Sequence, residues 1–327
     1  MNDNKPERES TYLWLLKSLE DEVVKHGQFV TSQTDFDVYM ATLKSSFVKA
    51  YDFARFAHRV SLRRANESSF FMTAGLRGIC EDIIALKFIA QFTKPIRQEL
   101  MLLEMQTSVR KASDVQTKFF RRERPFQPIV TSTPNQDIRK EKQQYTTIGA
   151  RVGLRMIKDK LPAIEQMATP VGLREIYDYF YRITSETVHF NVRVALRNGW
   201  GELPGTVQFG TKNFCRYYLS LNQTYGVFLF CLMSETFSGE LGLTPEFLQA
   251  VAQLRRKLDR ELRWPEPVTF EEMNLETPSP ILTSALLIAH LEKTDPEYIK
   301  RLDKKLKRKR KVLTPARRGV HKAGGPL

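Results

Sequence analysis

The segment YRITSETVHFN, residues 181–191, places an arginine and a histidine seven positions apart, at Arg182 and His189. In an α-helix, seven residues turn the chain to about 20° short of two full turns, so both side chains lie on one face. Arginine binds phosphates and oxyanions with a planar fork of donors, and histidine is the side chain that changes charge near neutral pH. This spacing is compatible with acid–base chemistry on a phosphate-bearing substrate.

Three further polar residues complete a stripe along the same face. Asp178 comes one turn before Arg182, and Ser185 and Glu186 lie between Arg182 and His189. Such a stripe has three interpretations, which the sequence leaves open. It is a solvated surface, a buried network paired with a neighbouring helix, or an acid–base site in which Asp178, Ser185 and Glu186 support the other two.

A second polar pair lies in residues 69–92, which are apolar on nearly all sides and predict a buried helix. Arg77 and Glu81 are four residues apart there and share one face. One interpretation is an internal ion pair that fixes the helix register; the other is a pair that lines a cleft. A contact between Arg77 and Glu186 would join this helix to the stripe.

The remaining residues do not provide the motifs of other common chemistries. Histidines and carboxylates show no metal-ligand spacing, and there is no phosphate-binding glycine loop or nucleophile elbow, so we expect no metal and no cofactor.

The cysteines Cys80, Cys215 and Cys231 are odd in number and lack a CxxC spacing, which favours a reducing compartment. With a polar N-terminus, this predicts a cytoplasmic protein.

The formal net charge of +14 is concentrated at the C-terminus. Residues 300–327 hold twelve Lys and Arg against one acidic residue, whereas the rest of the chain holds 39 bases and 36 acids. Such a run neutralises phosphates without reading sequence, although it also serves as a solubilising tail. The predicted nucleic-acid-binding residues are Lys304, Lys305, Lys307, Arg308, Lys309, Arg310 and Lys311.

Apolar residues recur at helical spacing through most of the chain, and strands are nearly absent. The fold class is therefore all-α, a single large helical bundle with one small β-hairpin excursion near 193–210 and a basic C-terminal tail.

Residues 119–137 hold three prolines and predict a loop. Residues 217–234 have the length of a membrane span, but polar residues in their middle favour a core helix, so we expect no membrane partner.

The predicted organisation has four parts. They are an N-terminal helical segment at 1–35, a bundle core at 36–263 that carries both motif helices, a Pro-rich link with a short helix at 264–294, and a basic helix with a disordered tail at 295–327.

Two segments resemble bacterial proteins grouped as domain of unknown function 5677. They are GLRGICEDIIALKFI, residues 75–89, and KLPAIEQMATPVGLREIYDYFYRITSETVHFN, residues 160–191. The family pairs an Arg-x3-Glu helix with an LP link and a Tyr-Arg…Ser…His helix, and the resemblance spans roughly residues 40–240. It implies an all-helical fold.

The spacing of Arg182 and His189 is also similar to the Arg-x4–6-His motif of HEPN proteins, many of which are metal-independent endoribonucleases that work as dimers. That resemblance implies that His189 exchanges a proton during attack by an RNA 2′-hydroxyl, while Arg182 holds the scissile phosphate. The sequence departs from the pattern at Ile183, where active members carry a polar residue. Inactive HEPN domains serve as binding modules.

The leading hypothesis is a metal-independent endoribonuclease in stress or phage defence. Its implied partners are RNA, a second copy of the chain, and a cognate antitoxin or defence partner. The alternative is a non-catalytic helical module that binds nucleic acid or a protein partner, with the polar residues as a buried structural network.

Overall fold

The computed structural model describes residues 11–30, 36–124, 126, 136–154, 157–201, 205–277, 279–298, 300–301 and 304. The helices are α1 (Thr11–Ser18), α2 (Glu20–Gly27), α3 (Val38–Arg59), α4 (Leu62–Ala90), α5 (Lys94–Glu123), α6 (Gln136–Arg151), α7 (Ile164–Ala168), α8 (Arg174–Val188), α9 (Val192–Arg197), α10 (Cys215–Thr236), α11 (Ser238–Leu241), α12 (Pro245–Asp259), α13 (Phe270–Met273) and α14 (Pro280–Thr294). The strands β1 (Gly199–Gly201) and β2 (Val207–Phe209) pair as an antiparallel hairpin. The predicted all-α fold and its small β excursion are confirmed.

Contacts divide the chain into two units, each built from two separate stretches. The first unit comprises Met1–Phe190 and Cys215–Pro267, and the second comprises Asn191–Phe214 and Val268–Leu327. The chain therefore leaves the first unit directly after His189 and Phe190 and returns to it at the start of α10.

Helix α10 lies at the centre of the first unit, where it packs on both α3 and α4. Two of its polar residues bond to these neighbours: the amide of the buried Asn222 donates to the carbonyl of Ser69 at 2.6 Å, and the amide of the partly buried Gln223 donates to the carbonyl of Ala57 at 3.1 Å. These bonds satisfy acceptors on the two neighbouring helices. None of the helices in the described ranges combines the length and the apolar character needed to cross a bilayer.

Helices α5 and α6 pack side by side through a small apolar cluster that includes Leu103 and Tyr145. Arg110 adds a forked ion pair with Glu141, with nitrogen–oxygen distances of 2.7 and 2.9 Å. The sequence predicted that this helix ends near residue 118, but α5 continues to Glu123. Most of the predicted 119–137 loop lies outside the described residues.

The packing of α1 on α3 brings the rings of Tyr12 and His58 to a stacked distance of 5.1 Å. Desolvation of the imidazole by burial lowers the pKa of His58 to about 4.

Acidification is therefore expected to weaken the fold through His58. The unfolded chain binds a proton at a pKa near 6.5 and the folded chain only near 4, so stability is retained above pH 6.5 and is lost as the pH falls towards 4. The loss is at most about 3 kcal/mol. Urea denaturation at pH 7, 5.5 and 4.5 measures it, and His58→Gln is expected to flatten the dependence over that range. An equally steep dependence in this variant would contradict the assignment to His58.

Candidate functional site

Helix α8 carries four of the five residues of the predicted stripe and packs on α4 in the first unit. Its buried side is formed by Phe180, Ile183 and Thr184. The sequence places these residues three and four apart, so they share one face of the helix, and this face is turned to the core. Ile183 thus follows Arg182 as a core residue, with only 3% of its surface exposed.

The ion pair between Arg77 and Glu81 is present on α4, with Nε of Arg77 donating to Oε1 of Glu81 at 2.7 Å. Both side chains are nearly 30% exposed, so this face of α4 is not buried as the surrounding apolar residues suggested. The guanidinium of Arg77 also lies 4.8 Å from the ring centroid of Tyr181 on α8, which is a cation–π contact. The hydrogen bond with Glu81 raises the pKa of Arg77, so this cation is fixed beside α8.

Asp178 pairs with Arg174, an arginine outside the predicted site. Nε of Arg174 donates to its Oδ2 at 2.9 Å, and the same guanidinium bridges to Glu165 at 2.7 Å. The signal was present, because Arg174 precedes Asp178 by four residues. Asp178 is therefore the partner of Arg174 rather than of Arg182.

Arg182 is solvent-exposed and forms no ion pair or hydrogen bond through its side chain within the described part of the chain. The two other arginines around this surface, Arg77 and Arg174, each have an acidic partner. Arg182 thus offers an unpaired guanidinium to a ligand.

His189 does not lie on the helix, so the predicted two-turn stack above Arg182 is wrong. Helix α8 ends at Val188, and His189 has an extended backbone with φ of −104° and ψ of 165°. The local sequence explains the end: Thr187 and Val188 are β-branched, and Asn191 caps the next helix by accepting from the backbone N–H of Val194. The imidazole of His189 is exposed, and its backbone N–H donates to the carbonyl of Ser185 at 2.9 Å.

Ser185 and Glu186 lie between these two residues and are partly buried. The Oγ atom of Ser185 is inaccessible to solvent and has no hydrogen-bond partner among the described residues. The stripe is therefore mixed: its ends at Arg182 and His189 are open to solvent, whereas its middle turns towards the protein.

Metal and thiol chemistry find no support in the described residues. No group of three or more His, Cys, Asp or Glu side chains is arranged to hold a metal ion in that part of the chain. All three cysteines are free and buried. Burial raises the pKa of the Cys80 and Cys231 thiols to about 12, so they stay protonated and unreactive at neutral pH.

Comparison with known proteins gives one match. Residues 72–202 match the Family of unknown function (DUF5677). Residues 72–202 are called the DUF5677 region below, after the family that they resemble. The match confirms the family resemblance predicted from the segments 75–89 and 160–191, over a narrower stretch than the predicted 40–240. No curated protein and no solved structure matches the chain.

All seven predicted catalytic and supporting residues lie inside the DUF5677 region. They are Arg77, Glu81, Asp178, Arg182, Ser185, Glu186 and His189. The predicted tail residues lie outside it, and of these Lys304 is the one that the structure describes, with an exposed side chain.

The DUF5677 region also contributes two arginines to a buried cluster in the second unit. Arg197 of α9 forms a forked ion pair with Glu272 of α13, through Nε to Oε1 at 2.5 Å and Nη2 to Oε2 at 2.8 Å. Arg193 donates to the same carboxylate at 2.7 Å. Glu272 in turn accepts from the backbone N–H of Thr269, in a capping box that starts α13. Arg197 and Glu272 are 75 residues apart in sequence, so no local sequence motif predicts the cluster.

Proposed function

We propose that the surface at the C-terminal end of α8 binds RNA and cleaves it without a metal ion, with Arg182 and His189 as the working residues. The observation that carries this proposal is that both side chains are exposed and without a side-chain partner in the described part of the chain. A buried, fully paired stripe would have excluded the substrate.

The neighbouring side chains suit a single-stranded nucleic acid. Phe190, directly after His189, is 91% exposed, and an exposed aromatic ring provides a stacking surface for a base. Arg77 adds a second positive charge beside Tyr181, although its pairing with Glu81 reduces its share in phosphate binding. Arg182 remains the principal phosphate ligand.

In the proposed reaction the 2′-hydroxyl of RNA attacks the adjacent phosphorus, the bond to the 5′-oxygen breaks, and a 2′,3′-cyclic phosphate forms. Arg182 stabilises the charge on the phosphoryl oxygens through its forked donors. His189 accepts the proton of the attacking 2′-hydroxyl, and the leaving 5′-oxygen takes up a proton from water. These roles follow from the HEPN-like spacing of the two residues.

The products test the proposal. Incubation of the full chain with a labelled RNA in EDTA is expected to give fragments that end in a 2′,3′-cyclic phosphate and begin with a 5′-hydroxyl. The same RNA with 2′-deoxynucleotides at the cut positions is expected to stay intact there. Cleavage of the deoxy-substituted positions would contradict the mechanism.

A second candidate function is favoured by the position of His189. Because His189 follows the last residue of α8, the helix does not fix its imidazole, and the site then resembles a binding surface more than a preorganised catalytic pair. In this case the chain is a non-catalytic module that binds nucleic acid through Arg182 and Phe190. Wild-type protein that binds RNA in EDTA but leaves it intact would support this alternative.

The basic tail is proposed to add non-specific affinity for the same nucleic acid. Deletion of residues 300–327 removes twelve Lys and Arg, so it is expected to weaken RNA binding and to make the affinity less dependent on salt. Binding isotherms between about 50 and 200 mM salt measure the slope. An unchanged slope would show that the tail does not contact the phosphates.

A further inference from the structure

A cleft of about 320 Å³ opens in the first unit on a face that uses none of the residues of the α8 surface. Its walls come from α3, α4, α5, α7 and the link of residues 160–163 that leads into α7. The apolar side chains in its lining include Leu86, Ile89, Met101, Leu161, Ile164 and Met167. Its volume is at the lower end of the range of roughly 300–1,000 Å³ that is typical of small-molecule sites.

The two carboxylates in the cleft already have partners. Asp82 forms an ion pair with Lys49 at 2.5 Å, and Glu104 accepts a hydrogen bond from the hydroxyl of Tyr145 at 2.7 Å. The charge of Asp82 is therefore balanced by Lys49, whereas Glu104 keeps one negative charge, which the two lysines of the cleft outnumber.

The two lysines of the cleft have no such partners. Lys111 comes from α5 and Lys160 from the link before α7, and neither forms an ion pair with any described residue. Ser46 of α3 also lines the cleft; only 8% of its surface is exposed, and its hydroxyl makes no hydrogen bond within the described ranges. The cleft therefore suits a ligand that has a negative charge and a hydrogen-bonding group beside an apolar body.

We propose that this cleft binds a small organic anion with an aliphatic body, of the medium-chain carboxylate class. The carboxylate pairs with Lys111 and Lys160, and the hydrocarbon lies against the apolar lining. No aromatic ring is among the described residues that line the cleft, so it lacks the stacking surface that a nucleobase needs. The charge and the aliphatic lining together favour this class over nucleotides.

Calorimetric titration of the full chain with decanoate tests the proposal, with decanol and octanoate as comparison ligands. Decanoate is expected to bind, and octanoate to bind more weakly by about fourfold for each missing methylene that contacts the cleft. Decanol, which lacks the charge, is expected to bind less tightly than decanoate. Lys111→Ala and Lys160→Ala are each expected to weaken decanoate binding about threefold, as is typical of exposed ion pairs.

Two further variants locate the site. Ala85→Phe places a ring in the cleft and is expected to weaken decanoate binding more than tenfold, whereas Lys158→Ala removes an exposed lysine outside the cleft lining and is expected to leave binding unchanged. Circular dichroism establishes that each variant is folded, and the lysine variants test the site independently of Ala85→Phe. Absence of decanoate binding, equal binding of decanol, or wild-type affinity in both lysine variants would overturn the proposal.

Discussion

Replacement of Glu272 by alanine is expected to lower the free energy of unfolding of the second unit by about 3–5 kcal/mol. The physical reason is the burial of its partner: Arg197 is 1% exposed and Glu272 is 2% exposed. Without the carboxylate, the buried guanidinium of Arg197 loses two charge-assisted hydrogen bonds, and Arg193 loses the same acceptor. The variant also loses one of the two bonds of the capping box that starts α13, the one from the backbone N–H of Thr269 to the carboxylate.

The fluorescence of Trp200 can report the unfolding of the second unit. Trp200 lies in the second unit, where its indole N–H donates to the carbonyl of Arg197 at 3.3 Å, and the two other tryptophans, Trp14 and Trp264, lie in the first unit. Urea denaturation followed by fluorescence, in a background with Trp14→Phe and Trp264→Phe, therefore monitors the second unit through Trp200.

A nearby exposed glutamate provides the matched control for this measurement. Glu276→Ala removes an exposed carboxylate close to Glu272 and is expected to change the stability by less than about 0.5 kcal/mol. Glu272→Gln keeps the side-chain size but removes the charge, and it should destabilise the unit almost as much as alanine does. A loss below about 1 kcal/mol in Glu272→Ala would show that the cluster is not a stabilising centre.

Removal of the two proposed working residues is expected to affect RNA binding and RNA cleavage differently. Arg182→Ala should weaken binding and slow cleavage by about 10²–10³-fold, because Arg182 contacts the phosphate before and during the reaction. His189→Ala should slow cleavage by about 10²–10⁴-fold with little change in RNA affinity, because proton exchange occurs only during the reaction. Single-turnover rates at several protein concentrations separate the binding constant from the rate constant.

Exposed residues of the same types serve as controls for these variants. Arg260→Ala removes an arginine near the end of α12, and His290→Ala removes a histidine on α14, and both side chains are solvent-exposed. Both are expected to keep the wild-type rate constant. Equal losses of rate in these controls would show that the effects of Arg182→Ala and His189→Ala are not specific to the α8 surface.

The helices were largely predictable because their apolar residues recur every three to four positions. Even the polar middle of residues 217–234, which argued against a membrane span, has a structural counterpart in the bonds that Asn222 and Gln223 make to neighbouring helices. The ends of helices were less predictable. The apolar periodicity predicted that α8 continues through His189. Instead, β-branched residues and the cap at Asn191 end the helix at Val188.

Whether a polar pair could be predicted depended on the separation of its two residues in sequence. Arg77 and Glu81 were predictable because four residues bring two side chains together on any helix. Arg197 and Glu272 were not, because only the tertiary fold brings residues 75 positions apart into contact. The exposure of Arg77 was also beyond local prediction, since it depends on which part of α4 is covered by α8.

The most direct test of RNA cleavage at the α8 surface is the incubation of one labelled RNA in EDTA with the wild-type chain, Arg182→Ala and His189→Ala at equal concentrations. Cut RNA is expected with the wild-type chain, and nearly intact RNA with either variant over the same time. Equal degradation by all three proteins, or intact RNA with the wild-type chain as well, would contradict the assignment of Arg182 and His189 as the residues that cleave RNA.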